Sequence, residues 1–500
     1  MQFSTAPPDA ILRGHRARYV GFMSDRHTPP TVPDTSDQEV TAVVARLRRT
    51  FDSGATLPVP ARARHLAALR RLLTEGADEL AAALADDLGR HTTESWLVEI
   101  GFTIGELDHV AKNLRRWTAP RGRRVPAALL PARASLVREP LGVVGVIAPW
   151  NYPVQLLLAP LVGALAAGNT VVLKPSEVAP ATSGALARLA GRYLDPDVVG
   201  VVTGGVGPTT ALLDQRLDHI FYTGGSTVAR VVAEAAARTL TPVTLELGGR
   251  CPVWVDPRQD LEAVARRIAW AKFLNAGQTC VAPNHVFTTP DAAPRLATHL
   301  ADAVRAMYGA DPAASEDYGR IVNTSHHDRL TGVLDATVDA GARVEFGGGR
   351  EREDRYLEPT ILAGVRPDHP VMAEEIFGPI LPIVEVSGLG EAIDLIRDGE
   401  HPLAAYAFTD DAADRARIVR EVRAGGMSFG APMLQVSVPD LPFGGVGGSG
   451  YGAYHGEESV RVFSHEKPVF SKPLKPDTLR MALPPYGRRA RLMLRAMFRV

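Results

Sequence analysis

Between Glu39 and about Trp117 the apolar residues return at helical spacing, first in HLAALRRLLTEGADELAAAL and then in WLVEIGFTIGELDHVAKNL. This period predicts several long amphipathic helices suited to covering one face of a sheet. The basic, proline-containing run PRGRRVPAALLPAR (residues 120–133) breaks it, and RASLVREPLGVVGVIAP then reads as extended chain entering a buried strand at Val143–Ala148. Beyond that point strand and helix signals alternate. NTVVLKP, VVGVVTGG, DHIFYTGG and PVTLELGG are short apolar runs, with helical segments such as ATSGALARLAGRYL and VARVVAEAAARTL between them. That alternation predicts a doubly wound parallel sheet with its ligand site at the carboxyl ends of the strands. The pattern restarts after Gly249 with PVWVD, a helix through LEAVARRIAWAKFLNAG, HVFTT and a helix through RLATHLADAVRAMYG, and it continues as a second α/β domain to about Gly430. The segment LLLAPLVGALAAG (residues 156–168) is apolar but short and interrupted by Pro160, which predicts a buried helix rather than a membrane span.

The two ends differ from this core. Residues 1–37 carry Pro7, Pro8, Pro29, Pro30 and Pro33 among polar residues and read as a mobile leader, in which Met23 is an alternative start to Met1. The run RRARLMLRAMFRV (residues 488–500) reads as an exposed helix or frayed tail, with weak membrane contact as the secondary reading. A length of 500 residues with 45% hydrophobic content fits a multi-domain globular protein. With 55 Lys and Arg against 56 Asp and Glu, the formal charge of -1 provides no field for attracting nucleic acid. Cys251 and Cys280 are the only 2 cysteines, too few for a disulfide framework or a metal-binding quartet. Together with the lack of a secretory pattern at the start, this predicts a reducing, cytoplasmic setting in which a lone thiol can act as a nucleophile.

Several residues stand where chemistry is available. Cys280, in NAGQTCVAP, is flanked by small residues just beyond a predicted helix, although most buried thiols simply pack as small hydrophobes. Glu246 ends the buried strand of TLELGG, where a carboxylate is costly unless it has a partner across a domain interface or a catalytic task. Asn151, in APWNYP, either donates to a developing oxyanion or caps the following helix. Lys174 and Glu177, in VVLKPSE, either bind sugar hydroxyls or form a salt bridge. FYTGGSTVAR puts small residues between strand and helix, so that a helix N-terminus can approach a pyrophosphate, but it lacks the GxGxxG fingerprint. These features alone describe a nucleotide-binding thiol enzyme.

In order along the chain, PWNYP, LKPSE, FYTGG, TLELGG, NAGQTC, EEIFGP and LPFGG resemble the aldehyde dehydrogenase superfamily, over about Ala61 to Pro473. The wording of DHIFYTGG, LTPVTLELGG, RRIAWAKFLNAGQTCVAPN and LPIVEV is most similar to the class 3 branch of fatty and aromatic aldehyde dehydrogenases. The resemblance implies an α/β, aldehyde dehydrogenase-like fold of two doubly wound parallel-sheet domains plus a small β oligomerisation element. The implied NAD(P)-binding domain takes residues 38–119 and 140–248, the catalytic domain 249–440, and the oligomerisation element 120–139 and 463–473. A basic tail over 474–500 follows. The implied activity is oxidation of a small-molecule aldehyde to the acid by a homodimer.

The resemblance also implies roles for particular residues. Cys280, as thiolate, would attack the aldehyde carbon, with Asn151 and the backbone N–H of Cys280 holding the oxyanion. Glu246 would activate the water that hydrolyses the thioester, with help in deprotonating the thiol as a second role. Lys174 and Glu177 would meet the adenosine ribose, and Trp150, Ser176 and Leu247 are further implied cofactor contacts. Gly224, Gly225, Ser226, Thr227, Val228 and Ala229 would meet the pyrophosphate. Glu375 and Phe377 would lie on the nicotinamide side. No metal is implied. The implied cofactor is NAD, with NADP as the alternative, because a carboxylate at Glu177 repels a 2′-phosphate.

Departures from the family pattern are Gly225 in place of the usual Ser, Ala229 in place of the usual Gly, and Cys251 in place of a small polar residue, read here as structural. The segment FGAPMLQVSVPD replaces an Asn-Asp pair and histidines, and its Met433, Leu434 and Val436 predict a hydrophobic aldehyde. Two competing functions share the same residues: a thiol esterase, and a catalytically silent binding protein. Retention of Lys174, Glu177, Glu375 and Phe377 speaks against the first. The joint presence of nucleophile, base and oxyanion donor speaks against the second.

Overall fold

Ser36 opens the first helix, Asp37–Asp52, with a reciprocal capping box: its hydroxyl accepts the Glu39 N–H, and the Glu39 carboxylate accepts the Ser36 N–H at 2.9 Å. The computed structural model describes residues 32–481, 483–488, 491, 492 and 495; residues 1–31 of the expected leader and much of the last stretch of the basic tail lie outside the described residues. The end of the leader departs from expectation. The Thr35 N–H donates to the Thr203 carbonyl at 3.0 Å and Asp34 accepts the Gly205 N–H at 3.2 Å, so residues 32–36 are fastened to the sheet and are not part of a loose leader.

Helices Asp37–Asp52, Val59–Glu75, Ala77–Leu88 and Gly101–Thr118 follow the predicted apolar period, turning Val40, Val44, Leu47, Leu66, Leu69, Leu80, Leu107 and Val110 inward. They flank a six-stranded sheet. Five of its strands are parallel: Val243–Glu246, His219–Thr223, Val143–Ile147, Thr170–Lys174 and Val199–Val201, in that spatial order. They read as apolar runs because both of their faces are covered. The sixth strand, Gly450–Tyr451, lies antiparallel against Val243–Glu246, so the sheet is mixed at this edge and is completed by a segment that follows the second sheet in the chain.

The helix Gln155–Ala167 is buried along nearly its whole length, as LLLAPLVGALAAG predicted, and Pro160 is accommodated near its start. Its first N–H groups are satisfied from elsewhere in the chain. The Glu99 carboxylate accepts Val154 N–H and Gln155 N–H, each at 2.8 Å, so Asn151 is not the cap.

A seven-stranded sheet runs Arg343–Phe346, Thr360–Val365, Ile380–Glu385, His285–Thr288, Pro252–Val255, Ala404–Phe408 and Gly426–Phe429. All neighbours are parallel except the antiparallel edge strand Arg343–Phe346. A third sheet, of three antiparallel strands, places Arg133–Pro140 between Arg121–Arg123 and Ser464–Ser471. Arg138 anchors it to the body, donating to the Trp117 carbonyl at 2.9 Å and pairing with Glu457 and Glu466. Among the described residues no helix is long and apolar enough to cross a membrane.

Candidate active site

Four neighbouring strands of the six-stranded sheet deliver their carboxyl ends to one edge. Val243–Glu246 ends on Glu246, His219–Thr223 runs into Gly224, Val143–Ile147 runs into Trp150 and Asn151, and Thr170–Lys174 ends on Lys174. This is the edge at which an open parallel sheet takes its ligand. Opposite it lies the Cys280 loop, between the helix Leu261–Phe273 and the strand His285–Thr288.

The helix predicted through LEAVARRIAWAKFLNAG stops at Phe273, four residues earlier than its sequence suggested, because Asn275, Ala276 and Gly277 have φ of 51°, 50° and 75°. Left-handed conformations at two non-glycine residues in succession persist only where the surroundings hold them. Here the Glu94 carboxylate accepts the Asn275 N–H at 2.9 Å, and the Asn275 amide donates to the carbonyls of Asn151 and Gln278 at 2.9 and 3.1 Å.

Two cavities meet at Cys280. The first, about 320 Å³, is lined by Trp150, Asn151, Gly224, Gly225, Glu246, Leu247, Glu375 and Phe377, together with Thr223, Gly248, His326, Arg329 and Glu374. The second, about 140 Å³, is predominantly apolar and is bounded by Leu97, Val98, Phe102, Trp270, Met433, Leu434, Val436 and Phe443. Cys280 is therefore reachable from two sides, one holding the charged side chains of Glu246, Glu374, Glu375 and Arg329 and one without Asp, Glu, Lys or Arg.

The charged groups at this junction are unusual. Both oxygens of Glu246 are buried without a hydrogen-bond partner, which rules out the paired-carboxylate alternative within the described residues, and burial holds its carboxyl well above the ordinary value. Burial, with the nearby Glu375 and Glu246 carboxylates, pushes the Cys280 thiol up to about 12, against a smaller opposing pull from the backbone N–H groups of Cys280 and Val281. Burial also raises Glu375 to about 7, although the backbone of Gly249 and the charges of Lys272 and Arg329 favour its ionised form. The Asn151 amide donates to the Gln278 carbonyl at 3.1 Å. Cys251 is fully buried, donating to the Cys280 carbonyl and accepting the Ala404 N–H, both at 3.3 Å, as a structural thiol should.

The remaining candidates fall into two groups. Lys174 is buried and donates to Glu177 at 3.2 Å, while the Glu177 side chain is 49% exposed; Ser176 accepts the Val178 N–H at 3.3 Å. Neither Lys174, Ser176 nor Glu177 lines the cavity at Cys280; they stand farther along the same sheet edge. Ser226, Thr227 and Val228 are exposed on the first turn of the helix Ser226–Thr239, whereas the Ala229 side chain turns into the core beside Val232. That helix has Gly225 as its N-cap and no side-chain cap, so its first N–H groups lack the usual side-chain acceptor, and nothing lies within 4 Å of where a Gly225 Cβ would stand.

Sequence reasoning missed Arg90, Glu99, His326 and Arg329. His326 and Arg329 are one helical turn apart in TSHHDRL, a spacing that could have placed both on one face. Trp150 packs against His326 and, edge-on, against Phe377, with ring centroids 5.0 and 5.4 Å away.

Comparison with known proteins agrees with this geometry. The profile of the aldehyde dehydrogenase family matches residues 24–469. The chain belongs to the aldehyde dehydrogenase family. It is 43% identical over 443 residues to aldehyde dehydrogenase family 3 member A2 of Rattus norvegicus, covering 88% of this chain and 90% of that one. It is 43% identical over 435 residues to the dimeric NADP-preferring aldehyde dehydrogenase of the same species, covering 87% and 95%. The solved substrate-bound state of Staphylococcus aureus AldH superposes with a TM-score of 0.89 at 37% identity, over 92% of this chain and 99% of that one. The protein is thus an oxidoreductase of aldehyde groups that uses NAD(P), similar to class 3 members, and the expected fold class holds.

Proposed function

We propose that this aldehyde dehydrogenase oxidises hydrophobic aldehydes through a thioester on Cys280. The observation that carries the reading is the meeting at one thiol of an apolar cavity and a cleft that holds the charged side chains of Glu246, Glu374, Glu375 and Arg329, with the Glu246 carboxylate unpartnered. Cys280, once deprotonated, forms a bond to the aldehyde carbon, and the carbonyl oxygen becomes an oxyanion held by Asn151 and the backbone N–H of Cys280. NAD(P), when bound, supplies the acceptor for the hydride whose departure turns the thiohemiacetal into a thioester. Glu246 then takes a proton from water as the water oxygen attacks the thioester carbon, and the carboxylic acid leaves as the Cys280 sulfur recovers its electron pair. Deprotonation of the thiol before attack is a second task that Glu246 can serve.

The residues present suit the cofactor. The uncapped helix start after Gly225 suits a pyrophosphate, and the orphaned Glu375 Oε1 and the Phe377 ring suit the nicotinamide side. Lys174 and Glu177 suit the adenosine ribose, with Ser176 between them in sequence; Trp150 and Leu247 line the cleft at Cys280, and Ser226, Thr227, Val228 and Ala229 stand on the pyrophosphate helix. The domain assignment follows: residues 38–119 and 140–248 for the nucleotide, 249–440 for catalysis, and 120–139 with 463–473 for oligomerisation.

Glu177 favours NAD over NADP through charge repulsion. Glu177→Gln is therefore expected to raise kcat/KM with NADP relative to NAD by about tenfold, the equivalent of ~1.4 kcal/mol. Steady-state assays with each nucleotide measure this; an unchanged ratio removes Glu177 from the ribose site.

The aldehyde reading is tested by following reduced nicotinamide with a series of straight-chain aldehydes. Each added methylene that the cavity of Leu97, Phe102, Met433 and Leu434 covers is expected to raise kcat/KM by about fourfold, from ~0.8 kcal/mol per buried methylene. The rise ends when the cavity is filled. A flat series, or a preference for short polar aldehydes, would overturn the hydrophobic assignment.

The proposed assembly is a homodimer. Among the described residues Ser464–Ser471 is an edge strand with one side unpaired, and Val469 and Phe470 on it are exposed, which supports pairing with a second copy. The free thiols support a reducing, cytoplasmic location.

A further inference from the structure

We infer that Arg90 is a positioning residue for the oxyanion site, acting through Asn151; the inference rests on the oxyanion role assigned to Asn151 above. The Arg90 side chain is fully buried and lines neither cavity at Cys280. Its Nη2 donates to the Asn151 backbone carbonyl at 2.7 Å, and its Nη1 pairs with Glu99. Glu99 uses its second oxygen to accept the N–H groups of Val154 and Gln155, which start the helix after Asn151. The guanidinium also lies 4.9 Å from the centre of the Tyr152 ring, whose hydroxyl is 2.6 Å from that of Thr279, the neighbour of Cys280.

These contacts decide what the Asn151 amide can do. A side-chain amide nitrogen carries two hydrogens, and one is committed to the Gln278 carbonyl. The second is available to a substrate oxygen only while the Trp150–Tyr152 turn keeps its place. The Asn151 carbonyl is held by Arg90 from one side and by the Asn275 amide from the other, so the donor turn and the nucleophile loop share one buried atom.

Arg90 reaches the nucleophile loop by a second route. Its Nε makes no hydrogen bond but stands in ion-pair range, 3.5 Å, of Glu94 Oε1, the oxygen that accepts the N–H of left-handed Asn275. A single planar fork thus braces both sources of the oxyanion donors, the Asn151 amide and the backbone of the Cys280 loop. Lysine, a point donor on a flexible stem, can keep the charge against Glu99 but cannot make all of these contacts at once.

The test is a double-mutant cycle on the intact enzyme, with kcat, aldehyde KM, nucleotide affinity and melting temperature read for each variant. Arg90→Lys is expected to lower kcat by about tenfold, the order of loss that follows a small misplacement of a catalytic group. Nucleotide affinity is expected to stay within about twofold, because the cleft residues are untouched. In an Asn151→Ala background the same Arg90→Lys change is expected to cost clearly less than in wild type, leaving only the part that acts through Glu94 and the Cys280 loop. Glu99→Gln, which loosens Arg90 while preserving a helix-capping carbonyl, serves as the second probe and is expected to behave in the same way. If Asn151→Ala alone leaves kcat intact, the oxyanion assignment fails. If Asn151→Ala lowers kcat but the Arg90→Lys or Glu99→Gln loss persists in full on top of it, Arg90 is merely structural and the inference is overturned.

Discussion

Replacing Cys280 with alanine is expected to lower kcat by about ten-thousand-fold or more, the scale of loss seen when a covalent nucleophile is removed. Nucleotide binding is expected to persist, since the cleft is built by Trp150, Gly224, Gly225, Glu375 and Phe377, and calorimetric titration with the nucleotide offers a direct reading. The other cysteine cannot take over. Cys251 is fully buried, its sulfur is engaged with the Cys280 carbonyl and the Ala404 N–H, and burial raises its thiol well above the ordinary range. Iodoacetamide is accordingly expected to modify the folded enzyme at Cys280 and to leave Cys251 untouched, as peptide mass spectrometry would report. Retention of more than about a hundredth of wild-type turnover by Cys280→Ala would remove the thioester from the mechanism, because residual binding and polarisation alone do not supply that rate.

The parts of this site that were legible in the sequence are those fixed by local pattern. Short apolar runs identified the parallel strands because burial on both faces leaves no polar alternation, and Glu246 stood out because it ends such a run. The small residues around Cys280 marked an approachable thiol. What was not legible depends on contacts between distant parts of the chain. The helix before Cys280 carries a continuous helical period, yet it stops at Phe273 because Glu94 and Asn151, far away in sequence, hold Asn275 in a left-handed turn. Arg90 gave no signal of its own in DDLGRHTTES, since a buried arginine looks like a surface one until its partners are known. Gly450–Tyr451 was likewise hidden: so short a strand leaves no period, and only the return of the chain to Val243–Glu246 gives it a partner.

Glutamine at position 246 is expected to separate the two halves of the reaction. Cys280 can still be acylated, so Glu246→Gln is expected to release about one equivalent of reduced nicotinamide per active site in a rapid phase, with steady turnover then slowed by about 10²–10⁴-fold for want of a base. Absence of that rapid phase would instead make Glu246 the base for the thiol. The same burial that suits the carboxylate to this task sets its pH dependence. Glu246 is held well above its ordinary value of 4.5, so its basic form appears only as pH rises through the raised value, and wild-type kcat is expected to climb with pH. The glutamine variant is expected to lose this limb while keeping any alkaline rise in kcat/KM that comes from the Cys280 thiol.

Stability should run in the opposite direction. Above the ordinary carboxyl value the unfolded chain releases the proton that native Glu246 retains, so the native state binds more protons and its stability falls as pH rises towards the raised value. Glutamine has no proton to lose. Glu246→Gln is therefore expected to melt a few degrees higher than wild type at neutral pH, a gap that narrows below the ordinary carboxyl value and is measurable by calorimetry across pH. An equal melting temperature at every pH would mean that Glu246 is partnered or hydrated in solution and that its cost to folding has been met. A gap that opens with rising pH, in a variant that acylates but does not turn over, would tie the instability and the function to the same buried carboxylate.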